Sequence, residues 1–86
     1  MALLLPKDLP ARQVEEVIRE AAGSLLVDLS VFDLYEGEGI PDGYRSVAFR
    51  LRFQSGERTL TDSDVDEAVA RVTGRLLEVL GVKTRG

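Results

Sequence analysis

The middle of the chain alternates between apolar and polar side chains, as strands do when one face is buried and the other is exposed. The pattern predicts strands over residues 25–35 and 44–54, joined by the glycine-rich turn 36–43. The apolar phase slips at Val31–Phe32, which indicates a bulge. The side chains assigned to the core are Phe32, Leu34, Val47, Phe49, Leu51 and Phe53. Those assigned to the opposite face are Asp33, Tyr35, Tyr44, Ser46, Ala48, Arg50 and Arg52.

Two segments on either side of this hairpin have apolar residues at helical spacing instead. The first helix is predicted over residues 10–22, and Gly23 suits its C-terminal cap. The second is predicted over residues 62–80, because residues 61–64 form a capping-box pattern before it and Gly81 follows it.

Short apolar stretches at residues 2–5 and 82–85 are predicted to be the first and last strands. The resulting β-α-β-β-α-β order predicts a ferredoxin-like α+β sandwich. Its antiparallel sheet has four strands ordered 4-1-3-2, and both helices cover one face. We expect residues 1–86 to form a single domain. Its predicted core includes Val17, Ile18, Phe32, Phe49, Phe53, Val69, Val72 and Leu76.

The composition excludes several kinds of chemistry. The chain has no cysteine and no histidine, so it can form neither a disulfide, nor a thiolate metal site, nor a Ser–His catalytic pair. Its net charge is −4, but the predicted strands are basic while the helices and connections are acidic. This distribution is compatible with a polyanion on the sheet side alone. The apolar run 2–5 is too short for a signal sequence or a membrane span, and we expect a cytoplasmic protein.

The polar sheet face is the candidate site. If residues 36–43 are the turn, Tyr35 lies opposite Tyr44 and Asp33 lies opposite Ser46. Single-stranded RNA bases are held by stacking on aromatic rings and by hydrogen bonds to their edges. A carboxylate accepts hydrogen bonds, so Asp33 would suit the donor edge of guanine. The alternative is that the two tyrosines form a cross-strand pair that only stabilises the hairpin.

Three motifs in this order resemble a known family: Phe32-Asp-Leu-Tyr-Glu-Gly37, the run 46–55 (Ser-Val-Ala-Phe-Arg-Leu-Arg-Phe-Gln-Ser) and the run 57–62 (Glu-Arg-Thr-Leu-Thr-Asp). The family is the ferredoxin-fold anticodon-binding domain, which lies at the C-terminus of the β subunit of bacterial phenylalanyl-tRNA synthetase. The chain departs from the family pattern at Tyr44-Arg45, where two basic residues are more usual, and at Phe49, often a tyrosine.

The resemblance implies that the sheet face holds the first anticodon base of phenylalanine tRNA. Tyr35 would stack on the base and Asp33 would hydrogen-bond to its edge, while Ser46 and Ala2 would line the same pocket. Residues 1–86 would be a domain excised from the larger β-subunit chain, non-catalytic by itself and without a cofactor. ATP and magnesium would bind elsewhere in the synthetase, whose α subunit and remaining β-subunit domains would be its partners. The charge pattern, and not the resemblance, adds three cations for RNA contact: Arg50, Arg52 and Lys83.

Other functions are known to share this order of elements. An amino-acid-binding regulatory domain usually carries its site near a glycine-bearing turn after the first strand, but residues 6–10 contain no glycine. An acylphosphatase-like enzyme would need an arginine and an asparagine, and the chain has no asparagine. A docking module whose sheet face packs on a neighbouring domain remains an alternative.

Overall fold

The computed structural model describes residues 1–84 and confirms the predicted ferredoxin-like fold. The strand order is β2-β3-β1-β4, which is the predicted order read from the other edge, and all pairs are antiparallel. A single 3-10 turn, Gly23–Leu25, joins the first helix to the second strand. Arg85, predicted to lie in the last strand, is outside the described residues. The elements are β1 (Ala2–Pro6), α1 (Ala11–Ala22), β2 (Leu26–Tyr35), β3 (Tyr44–Phe53), α2 (Asp62–Leu80) and β4 (Lys83–Thr84).

The core lies between the two helices and one face of the sheet. Each helix buries three residues at helical spacing, and these pack on alternate residues of the central strands β1 and β3. Of the predicted core residues, Ile18, Phe49, Val72 and Leu76 are fully buried. Val17, Phe53 and Val69 are half-buried. The buried helical residues are Val14, Ile18, Ala22, Ala68, Val72 and Leu76.

The bulge predicted at Val31–Phe32 is confirmed, but its effect on Phe32 was predicted wrongly. Val31 pairs with Phe49 and Asp33 pairs with Ala48, so Phe32 is the extra residue without a partner in β3. The Phe32 side chain is 54% exposed and does not belong to the core. The prediction failed because the extra residue interrupts the alternation that otherwise assigns every second side chain to the helices.

Leu34 is a second predicted core residue that the structure exposes. It pairs with the buried Val47, which keeps it on the side of the helices. It is nevertheless 53% exposed, because β2 is an outer strand with no neighbour on its other side.

The predicted capping box fixes the start of α2. The Thr61 hydroxyl accepts a hydrogen bond from the Asp64 backbone N–H at 3.2 Å, and the Asp64 carboxylate accepts one from the Thr61 N–H at 2.9 Å. Arg58 donates to the same carboxylate at 2.6 Å. These donors, the Arg58 guanidinium above all, hold the pKa of Asp64 well below its usual range. At the other end, Gly81 closes the helix in the left-handed conformation.

Within residues 1–84, no helix has the length and apolar character needed to cross a bilayer.

Candidate RNA interface

One face of the sheet carries no helix, and we call it the open face. Because Val47 and Phe49 are buried under the helices, alternation places their neighbours Ser46, Ala48 and Arg50 on the open face. The pairing across the strands then defines two rows of side chains on this face. One row runs Tyr35, Ser46, Leu4, Lys83, and the other runs Asp33, Ala48, Ala2.

The predicted pairing of β2 with β3 was wrong, because Tyr35 and Asp33 each lie opposite a β3 residue two positions further along the chain than predicted. Tyr35 lies opposite Ser46 and not Tyr44, and Asp33 lies opposite Ala48 and not Ser46. The connection contains two consecutive turns, with hydrogen bonds from Ile40 N–H to Gly37 O and from Tyr44 N–H to Pro41 O. The β2–β3 pairing therefore begins only at Tyr35 and Ser46. The predicted Tyr35–Tyr44 pair does not form, and Tyr44 pairs with Pro6 of β1 instead.

Tyr35 is positioned by the hairpin connection. Its hydroxyl donates a hydrogen bond to the Glu38 carbonyl oxygen at 2.8 Å, which restrains the ring at the end of β2. The side chain is still 41% exposed. An exposed and restrained aromatic ring can stack on a base at a small entropic cost, because its orientation is already restricted before binding.

Asp33 is a hydrogen-bond acceptor in the second row. Its Oδ1 accepts from the backbone N–H of Leu34 at 2.9 Å, which fixes the carboxylate at the bulge. The other carboxylate oxygen has no hydrogen-bond partner within residues 1–84 and can accept from a ligand. Ala48 and Ala2, whose side chains are single methyl groups, continue this row beside the carboxylate.

Ser46 lies on the open face but is only 5% exposed. Its place between Tyr35 and Leu4 explains this burial, since both larger neighbours flank it in the same row. Ser46 and Asp33 are therefore diagonal neighbours, not the directly opposed pair that we predicted. Ser46 contributes to the floor between the tyrosine and the first strand.

The three cations predicted for RNA contact all lie on the open face. Arg50, Arg52 and Lys83 are exposed, and none forms an ion pair with another residue in the described range 1–84. Arg50 lies over the ring of Phe32, with its guanidinium carbon 5.0 Å from the ring centroid. Arg45 of β3 lies on the opposite face, where its guanidinium donates a hydrogen bond to the Leu9 carbonyl oxygen at 3.2 Å. This hydrogen bond links β3 to the connection between β1 and α1.

Over the described part of the chain, no three His, Cys, Asp or Glu side chains come together in a group that could hold a metal ion. The perturbed acid, Asp64, belongs to the capping box of α2.

A family model described as the ferredoxin-fold anticodon binding domain matches residues 1–85. The chain belongs to this family. It is 44% identical over 85 residues to a phenylalanine–tRNA ligase β subunit from Bacillus cereus and to one from Moorella thermoacetica, covering 99% of the chain. A β subunit from Syntrophotalea carbinolica is 37% identical over 84 residues, or 98% of the chain. The anticodon-binding domain spans only 10–11% of the length of these relatives.

Two features of this anticodon-binding domain were missed at the level of sequence. Ala48 was assigned to the open face but not to the site, although it separates Asp33 from Ala2. Phe32 was assigned to the core, although it contacts Arg50. The phase slip at Val31–Phe32 was the available signal, since a bulge next to a polar face can re-aim a side chain.

Proposed function

We propose that this domain reads the first anticodon base of phenylalanine tRNA on its open face, as one part of a phenylalanine–tRNA ligase β subunit. The observation that carries the proposal is the arrangement of Tyr35 and Asp33. An exposed ring and a carboxylate with an unused acceptor lie in adjacent rows of a face that no helix covers. The family match and the names of the relatives support the same function.

In this proposal the base stacks on Tyr35 and directs its edge toward Asp33. Guanine presents two adjacent donors, N1–H and the N2 amino group, on its pairing edge. Adenine presents a single donor, the N6 amino group, beside the acceptor N1, so a carboxylate favours guanine. Ala2 and Ala48 leave room for the base above the sheet. Ser46 closes the floor beside the tyrosine.

The isolated domain should bind RNA weakly. One stacked base contributes about 1–3 kcal/mol, whereas micromolar affinity requires about 8 kcal/mol. The net charge of −4 opposes a polyanion, and few cations on the open face offset it. We therefore expect millimolar affinity and a shallow dependence on salt, because few phosphates are contacted.

The rest of the synthetase would position the tRNA. In this proposal residues 1–86 act as a reading module in a cytoplasmic enzyme, and ATP, magnesium and phenylalanine bind on other domains and on the α subunit. The domain would then change the charging of tRNA and not the activation of phenylalanine.

An NMR titration with anticodon stem-loops tests the proposal. One stem-loop carries guanine at the first anticodon position and its partner carries adenine. We expect amide shifts at the ends of β2 and β3 and on β1, with tighter binding of the guanine form. Asp33→Asn should remove the preference, whereas Asp42→Asn, which changes another exposed acid in the turn, should retain it.

Shifts concentrated on α1 and α2, or equal affinity for both stem-loops, would contradict the proposal. Submicromolar binding with a steep salt dependence would also contradict it, since it would require a basic surface beyond the open face.

A further inference from the structure

Phe32 and Arg50 form an exposed aromatic–guanidinium pair that does not contribute to the core. The Arg50 side chain is on the open face, because its neighbours Phe49 and Leu51 both face the helices. The guanidinium carbon lies 5.0 Å from the centre of the Phe32 ring, so the bulge turns this ring onto the open face as well.

We propose that the Phe32–Arg50 pair is a second base-stacking platform, which holds the nucleotide adjacent to the one read by Tyr35 and Asp33. The inference rests on the proposed function and extends it from one base to two. Its occupant is a nucleotide of the same RNA strand.

The position of the pair supports this assignment. Phe32 directly precedes Asp33 in β2, and Arg50 follows Ala48 by two residues in β3, so the pair forms the next row beyond Asp33 and Ala48. Neighbouring side chains on one face of a strand are about 6.6–6.8 Å apart. A strand of RNA lying along the hairpin would thus meet Tyr35, then Asp33, and then the pair.

The chemistry of the pair also suits a nucleotide. Aromatic rings and arginine guanidinium planes both stack on bases whatever the base identity, and arginine additionally attracts phosphate. Arg50 has no acidic partner in the described part of the chain, since Ser30 lies opposite it. Arg52 lies one row further and adds positive charge, although Asp28 opposite it offsets part of this charge.

Exposure distinguishes this pair from an ordinary packing contact. Phe32 is 54% exposed, about as much as Leu34 two residues away. Leu34, however, lies on the side of the helices and has no cation over it. Leu34 is therefore a matched control for the loss of an exposed apolar side chain from the same strand.

The experiment compares a mononucleotide with dinucleotides on the whole chain. The probes are guanosine monophosphate and the two dinucleotides that add adenosine on either side of the guanosine, each titrated by NMR. We expect one dinucleotide to bind about 5- to 150-fold more tightly than the mononucleotide, as one added stack implies. Phe32→Leu should abolish this gain in affinity and leave guanosine monophosphate binding unchanged. Phe32→Tyr, which keeps an aromatic ring, should retain the gain. Leu34→Ala should retain it.

The outcomes separate the two proposals. If wild-type protein shows no preference for guanosine over adenosine monophosphate, the function proposed for Tyr35 and Asp33 fails. If the preference is present but Phe32→Leu keeps the full dinucleotide gain, only the second platform is overturned. The same holds if Phe32→Leu leaves every nucleotide affinity unchanged and weakens contact with other synthetase domains, because the pair would then be a protein-docking surface. Thermal unfolding of each variant shows whether a lost gain reflects a lost fold.

Discussion

Substitution of Ala48 by leucine should block the open face without damaging the fold. Ala48 is half-buried and lies between Asp33 and Ala2, on the face that no helix covers. A leucine there adds three carbon atoms that stand out from the sheet into the space assigned to the base. The same substitution at Ala68, which is fully buried in α2, would press those atoms into the core.

The substitution at Ala48 should therefore weaken binding and leave stability nearly unchanged, whereas the substitution at Ala68 should lower stability. At Ala48 the change in unfolding free energy should remain within about 0.5 kcal/mol, as at most surface positions. Overpacking at Ala68 should cost about 1–3 kcal/mol. In a domain of this size, each kcal/mol lowers the melting temperature by about 4–8 °C. Ala48→Leu should instead lower the affinity for RNA about 5- to 150-fold, because it removes a stacked base worth about 1–3 kcal/mol.

Thermal unfolding by circular dichroism and NMR titration with the guanine stem-loop measure the two effects on the same samples. A strong loss of stability in Ala48→Leu would show that this position is packed and that the open face is covered. Unchanged affinity in a stable Ala48→Leu variant would show that the base is not held between Asp33 and Ala2.

Three further predictions follow from other parts of the molecule. Leu76→Ala should lower the free energy of unfolding in urea by about 2–5 kcal/mol, because Leu76 is fully buried in the core; a loss below 1 kcal/mol would contradict its central place. Asp64 has a folded-state pKa below its ordinary value of 3.8, so its stabilising contribution is present above that value and is lost as the pH falls below it. The melting temperature of Asp64→Asn should accordingly fall less than that of the wild type on acidification, and parallel curves would refute this. In the intact ligase, Tyr35→Ala should lower aminoacylation of phenylalanine tRNA about 5- to 150-fold and leave ATP–pyrophosphate exchange unchanged. Tyr35→Phe should lose the hydrogen bond to Glu38 and remain near wild type, and a fall in exchange would indicate a structural role.

The architecture could be predicted from the sequence because each element carries its own local signals. The capping box before α2, Gly81 after it and the buried spacing of Val72 and Leu76 define that helix without reference to the rest of the chain. The strand alternation likewise placed Phe49 inside and Arg50 outside, as the structure shows. These signals act within a few residues, so one sequence is enough to read them.

The register and the bulge could be predicted only in part, because they depend on contacts between strands. The phase slip showed that an extra residue was present, but only the pairing of Val31 with Phe49 and of Asp33 with Ala48 identifies it as Phe32. Because the connection contains two turns, the pairing of β2 with β3 starts further along β3 than predicted. Ser46 therefore lies opposite Tyr35 and not opposite Asp33. Side-chain alternation is the same for registers that differ by two residues, so it could not distinguish them.

The bulges of β2 also bear on how readily its outer edge can pair with another sheet. β2 is a ten-residue outer strand that exposes Val27, Val31 and Leu34, and a long apolar edge of this kind can pair with the edge of another molecule. The pairing with β3 is interrupted between Leu26 and Asp28 and again between Val31 and Asp33. Each interruption bends the strand and increases its local twist, so the outer edge offers no long, flat row of backbone groups to a second sheet. The irregularity that turns Phe32 outward thus also makes this edge less suited to pairing with a second sheet.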